Sequence, residues 1–509
     1  MPIRQLVQCL PPADAARQQA LGVALIVAML SVVTAAEAAS SLRPYYQDNF
    51  VLETDDGAFK LRIRGNLHVD ARFYQSENRG APHSVDIRRG RIDLDGRIHD
   101  WVTFRLQPEF AGRPYLRNAW LDAELYPWLH VRLGQMKVPF SSSWLTRDNN
   151  VNFVERGSST PVYPFFDRGA LLWGDLLKGE VVYNVGVFTG AGIDVDATSG
   201  DLDDHKDVAA RLFLTPFLST GVEALRCLHV AAEGTWGRMS VPTSRFETGG
   251  LRSANYETAI WRWRTEQVLG TDGRVTDRLS AEIESRYRLG GELHYVLGPL
   301  ALSAEYLYHR YEDITLYHDL YVGSSRRVHE RLTETSGTIR SLSVWASLYL
   351  TGESKELTNW GWKTARPIRS VGEGGAGAWE ILARYSRTWS DSSLFRQTPV
   401  DGFDASSPLL PADYAGATPG ATNTVSASVL DGADHVNEAT LGVSWTINPM
   451  VRIQLNDVFL WAPRHDRDGD GDNDNYLLSG AKSNQSDPTR RSAPTRWENA
   501  IMLRTILKI

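Results

Sequence analysis

Cysteine is nearly absent from this chain: Cys9 and Cys227 are the only two in 509 residues. A scaffold stapled by several disulfides is therefore excluded. Past residue 36 there is no run of eighteen apolar residues, which excludes a bundle of membrane-spanning helices. Basic charge is not in excess. The net charge of −7 argues against a general nucleic-acid binder, and no nucleic-acid partner is expected. Pro/Ser-rich linkers are missing, and no shift from strand to helix periodicity divides the chain. No G-x-S-x-G or H-E-x-x-H accompanies any Ser or His, the twelve His are scattered, and no nucleotide-binding loop stands out. The chain is not expected to be an enzyme.

What is present begins with an export signal. Arg4 and Arg17 supply a positive start, and residues 20–36 (ALGVALIVAMLSVVTAA) an apolar stretch. Ala36-Glu37-Ala38 then offers a small-residue cleavage site, so 1–38 reads as a signal peptide. The alternative, a single membrane anchor, fits less well because the apolar core is short and ends in a cleavage motif. Residues 39–58 would be a periplasmic N-terminal segment and 59–509 one large all-β unit.

The segment 85–110, VDIRRGRIDLDGRIHDWVTFRLQPEF, shows why. Ile92, Leu94, Gly96 and Ile98 share one face of an extended strand, and Arg91, Asp93, Asp95 and Arg97 the other. After His99-Asp100-Trp101 the alternation resumes, with Val102, Phe104 and Leu106 against Thr103, Arg105, Gln107 and Glu109. In a transmembrane barrel the apolar face meets lipid and the charged face lines a wet lumen.

Period-two segments recur along the chain. The pattern predicts strands near 59–73, 86–98, 101–110, 117–126, 129–136, 169–174, 179–188 and 207–216. It continues with 226–236, 284–296, 299–310, 338–350, 378–389, 437–447, 450–461 and 496–509. Short links alternate with long polar ones (137–168, 189–206, 237–283, 311–337, 390–436, 462–495). That is the rhythm of a barrel with short periplasmic turns and large outer loops. Two links depart from it: 216–225 is intermediate, and 351–377 is long where a short turn is due. The expected fold class is all-β, a transmembrane antiparallel β-barrel of about 16 strands with an inward-folded third loop. The 16 Trp and 19 Tyr suit interfacial aromatic girdles. A soluble sandwich or repeat array is the competing fold.

Seven pieces of the chain together resemble the phosphate-selective porin O and P family of outer-membrane channels. They are FKLRIRGNLHVDARF (59–73), DIRRGRIDLDGRIHDW (86–101), VRLGQMKVPFSSSWLTRDNNVNFVERG (131–157), AEYLYHRY (304–311), LTGESKE (350–356), GAWEILARYS (377–386) and TLGVSWTINPMVRIQLNDVF (440–459). The resemblance implies an integral barrel of the cell outer membrane, of Gram-negative type. It also implies a homotrimer set in lipid and lipopolysaccharide, whose third loop narrows a pore for small anionic solutes. Phosphate or polyphosphate is the substrate class carried over; a general or organic-solute porin is the alternative. A barrel enzyme, or a structural barrel plugged by its loops, is the more distant one.

Arg88 and Arg89 match the adjacent arginine pair of the family's phosphate site. Strand parity puts Arg89 with Arg91 on the lumen side and Arg88 opposite. Both reach the lumen only beside a bulge or a strand end, which Gly90 would permit; otherwise they are ordinary rim charges. Other family positions depart. Asn66 stands for the arginine of the first strand, Val102 for a lysine, Arg117 for an acidic residue and Trp144 for the third-loop lysine. The expected pore or anion-binding set is Arg88, Arg89, Arg91, Arg105 and Arg117. Arg62, Arg64, Arg113 and Lys137 are further candidates, and the carboxylates Asp93, Asp95 and Glu109 would oppose the set. The constriction loop is represented by Lys137, Trp144 and Phe165. Trp144 would pack against the wall or, as the alternative, touch an organic solute.

Resident cofactors are not expected, with one exception. Asp466, Asp468, Asp470 and Asp472 alternate around Gly469 and Gly471 like the front of a Ca²⁺-binding loop. The twelfth position is Leu477 rather than a bidentate Glu, so an unliganded, solvated acidic loop is the competing reading.

Overall fold

The computed structural model describes residues 41–508 except 48, 78–82, 113, 191, 193–203, 239–250, 253–258, 264–266, 270–274, 323–324, 396–397, 402–423, 428–429, 468 and 478–494. The predicted signal peptide lies outside the described residues.

Sixteen antiparallel strands close into one barrel. They are β1 (Phe59–Ser76), β2 (Ser84–Ile98), β3 (Val102–Glu109), β4 (Tyr115–Tyr126), β5 (Leu129–Lys137), β6 (Phe166–Leu176), β7 (Val181–Phe188) and β8 (Asp207–Leu214). The circuit continues with β9 (Leu228–Arg238), β10 (Val275–Leu297), β11 (Leu300–Val322), β12 (Ser325–Tyr349), β13 (Ala378–Ser390), β14 (His435–Asn448), β15 (Val451–Trp461) and β16 (Trp497–Lys508). Each strand pairs with the next, and β16 pairs back onto β1 from Glu498↔Ser76 to Lys508↔Asn66. Closure removes the free edges that an open sheet of this size would expose. All sixteen period-two segments correspond to these strands. Among the described residues no helix is long and apolar enough to cross a membrane; this barrel crosses with strands.

The period-two pattern becomes the two faces of the wall. In β13 every second residue from Glu380 to Thr388 is buried, while Trp379, Ile381, Ala383, Tyr385 and Arg387 are exposed. Exposed Leu121, Leu133, Leu293, Leu441 and Leu455 continue the outer apolar band. At its short-turn rim Tyr126 stacks on Trp128, and Trp379 on Trp445. At the opposite rim Phe459 stacks on Trp497. Two aromatic girdles around an apolar belt are the signature of a barrel set in a bilayer.

Two expected loops are in part continuations of barrel strands. Residues 275–283 extend β10, and 311–322 with 325–337 extend β11 and β12 into a long ribbon. Register shifts at Tyr311/Ile314, Leu316/Tyr317 and Leu320/Tyr321 break the alternation there, which hides the strands from a period-two search. At the short-turn end Leu42–Tyr46 and Phe50–Thr54 form a hairpin whose second strand pairs with β1.

Candidate functional site: a lumen narrowed from both ends

The third loop, 138–165, turns inward and spans the barrel. Lys137, the last residue of β5, donates to the carbonyls of Trp144 (2.6 Å), Leu145 (3.4 Å) and Thr146 (2.9 Å). It thus caps the single turn of helix at Ser142–Leu145, with Ser141 accepting from the Trp144 N–H at the other end. Trp144 is buried against Tyr163, Phe165 and Phe166. Its ring is covered there by these neighbours. Phe165 is exposed at the start of the return to β6.

A loop inside a barrel must satisfy its own backbone. Here the wall does so with side chains that period-two spacing aims inward. Arg452 donates to the Val151 carbonyl (3.1 Å) and Gln454 to that of Asn152 (2.9 Å). Arg384 donates to the Glu155 carbonyl (3.0 Å), and Arg504 to that of Val154. Buried Phe140, Phe153 and Val154 add packing, each contributing about 1.5–3 kcal/mol.

The arginine pair meets this loop. His68 pairs with Arg89 but Val69 with Ile87, so Arg88 sits in a bulge of β2. The bulge turns Arg88 inward with its neighbour. Arg88 donates to the Glu155 carboxylate at 2.8 Å, and Arg89 lies 3.4 Å from Asp148 and 3.7 Å from Glu155. Arg91 is held between Glu109 and Asp148. Arg117 is 3.8 Å from Glu109 and stacks its guanidinium over Phe166. Glu155 also receives Arg72 (2.8 Å) and Arg504 (3.0 Å). Burial raises the Glu155 carboxyl, but Arg88, Arg504, Arg89 and Arg72 outweigh it and hold the group well below the usual carboxylate range. Asp148 is likewise raised by burial and lowered further by Arg89, Arg91 and Arg156. The structure therefore brings Arg88, Arg89, Arg91 and Arg117 together, each beside a carboxylate.

Arg105 stands apart from that cluster. It shares Asp95 with Arg64, at 2.7 Å from the Arg105 Nε. The exposed Arg147 of the third loop faces the same sector, in electrostatic reach of Arg105 and Asp93. Arg113 lies outside the described residues.

The unexpected component is the long link 351–377. It enters the lumen from the short-turn end as a small hairpin, Glu356–Thr358 against Gly361–Lys363. Asn359 at its tip accepts from Arg211 (2.8 Å), and Trp360 packs edge-on against Trp173. Trp362 packs on Trp345, and its backbone N–H donates to the Thr146 hydroxyl of the third loop at 2.9 Å. At Gly361 the backbone has φ +97°, and a Cβ there would collide with the Thr146 backbone. Lys355, buried, lies 2.7 Å from Glu380 and donates to Asn152 at 2.9 Å. The lumen is thus narrowed by two inserts that touch each other.

In the acidic loop Asp466 accepts from the N–H groups of Gly469 (2.7 Å) and Gly471 (2.9 Å), and Asp470 from that of Asp472 (2.8 Å). These carboxylates shape turns. Asp468 lies outside the described residues.

With this geometry in view, the model of the phosphate-selective porin O and P family matches residues 61–481. The chain belongs to that family. It is an integral barrel of the outer membrane, with the architecture of an outer-membrane channel. The porin is 23% identical to an uncharacterized protein of Caulobacter vibrioides over 389 residues, 74% of this chain and 70% of that one. Among solved structures it is similar to OmpT of Vibrio cholerae, with 10% identity, a TM-score of 0.48, and coverage of 90% and 99%. It is also similar to OmpF of Salmonella typhi, with 9% identity, a TM-score of 0.42, and coverage of 92% and 100%.

Proposed function

We propose that this porin is a passive diffusion channel preferring small anions, and that phosphate passes without being tightly held. The observation that carries this reading is the sector where Arg64, Arg105 and Arg147 surround Asp93 and Asp95. Three cations against two carboxylates leave positive charge beside water. Two unit charges 4 Å apart interact by roughly 1 kcal/mol in bulk water and about 4 kcal/mol at an effective dielectric of 20. Such a field repels cations and draws anions without trapping them.

A tight phosphate site would need guanidinium forks free to grip two oxygens. Arg88, Arg89 and Arg91 instead face Glu155, Asp148 and Glu109, and an entering phosphate would have to displace those carboxylates. Transport needs no covalent step. A homotrimer in lipopolysaccharide-bearing membrane is the expected assembly, from family membership.

Reversal potentials across purified protein in a planar bilayer test the reading. In a KCl gradient the potential should take the sign of chloride preference, and Arg105→Glu should shift it toward cation preference. A potential at zero or of the opposite sign would refute the proposal.

A further inference from the structure

We propose that Asp434, His435 and His465 form a binding site for one divalent cation of the zinc class at the long-loop mouth of the barrel. Asp434 and His435 lie where the chain enters β14, and His465 follows β15 in the last long loop. One ligand atom from each residue lies within 4.8 Å of the others. His465 Nδ1 is 2.8 Å from one Asp434 oxygen, and His435 Nδ1 is 3.1 Å from the other. In a tetrahedral zinc site with bonds of 2.0–2.1 Å, neighbouring donors stand about 3.3 Å apart. The trio needs only small side-chain adjustments to reach that shape.

A plain hydrogen-bonded trio accounts for the His465 contact but not for the other. Asp434 is fully buried, and both its Oδ1 and the His435 Nδ1 have no hydrogen-bond partner. A buried carboxylate oxygen and ring nitrogen 3.1 Å apart, but out of hydrogen-bond alignment, are spaced as two neighbouring ligands of one cation. Two imidazoles and one carboxylate suit Zn²⁺, Ni²⁺ or Cu²⁺, whereas Ca²⁺ and Mg²⁺ require more oxygen ligands. Three protein ligands leave a fourth position for water or a passing anion.

The surroundings fix the site and also oppose it. Asn475 accepts from the His435 N–H (3.3 Å) and donates to the His435 carbonyl (2.9 Å), so the loop and strand are already aligned. Arg467 stands 3.9 Å from Asp434, although its guanidinium is held by the Gly432 carbonyl (3.1 Å) and stacked over Phe395. Its charge weakens binding of a dication. His435 and His465 lie thirty positions apart in the chain, and only the return of the last loop joins them.

The test is a Zn²⁺ titration of the purified full-length barrel in competition with a chromophoric chelator. One Zn²⁺ per chain is expected. His435→Gln and His465→Gln should each weaken it at least about 10-fold, Arg467→Gln should tighten it, and Ca²⁺ in excess should not displace it. The two His variants replace partly exposed side chains, and heat-modifiable gel mobility verifies their folding. Absence of stoichiometric zinc, or zinc retained by the folded His435→Gln/His465→Gln double variant, would overturn the proposal. Retention there would place the metal on other histidines.

Discussion

Arg88 donates to the Glu155 carboxylate across 2.8 Å, tying a bulge of the second strand to the loop that crosses the lumen. The pair explains how adjacent arginines can both face inward and yet offer no free cation. It also makes Glu155 the residue on which loop position and arginine availability jointly depend.

Glu155→Gln should therefore do two things. Removing one member of a buried ion-pair network costs about 3–5 kcal/mol, so thermal denaturation should move to lower temperature. Weakening the hold on Arg88 and Arg89 should create a saturable phosphate block of chloride current that the native channel lacks, while Arg72 and Arg504 stay paired with Asp70. Denaturation scans and single-channel titrations check these outcomes separately.

The pH dependence follows from the same carboxylates. Glu155 and Asp148 are held well below their usual range, so their stabilising contribution is complete above the ordinary carboxylate value of about 4. It is lost only as pH falls through the depressed values. Conductance should stay constant from pH 7 to about pH 4.5 as far as these groups decide it. Loop release, seen as flickering current or proteolysis near 151–157, should appear only in stronger acid.

Trp362→Ala should loosen the hairpin from the third loop. Truncating a buried Trp costs about 3–5 kcal/mol. Replacing 356–363 by a short Gly linker should raise single-channel conductance, because the insert occupies lumen. Gly361→Ala should mimic Trp362→Ala in loosening the hairpin, since its Cβ collides with the Thr146 backbone.

The barrel was legible in the sequence because lipid on one side and water on the other impose strict alternation, as Trp379–Tyr385 shows. The extensions of β11 and β12 were hidden where register shifts break that alternation, whereas that of β10 pairs without one. In the lumen, parity alone put Arg88 on the wrong face; a bulge corrected it, and Gly90 was the hint. That Glu155 and Asp148 would neutralise the arginines was illegible, because they lie 67 and 57 residues away from Arg88 and Arg91. The hairpin showed only as an anomalous length at 351–377; its Trp360 and Trp362 were the unread signal of an insert with apolar sides.

Single-channel recording in a KCl gradient, with phosphate titrated into the chloride current, tests the central claim most directly. The account predicts an anion-preferring reversal potential and no saturable block by phosphate at sub-millimolar concentration. Saturable phosphate block in the native channel, abolished by Arg88→Ala/Arg89→Ala, would contradict it by showing that the arginine pair is open to phosphate despite Glu155.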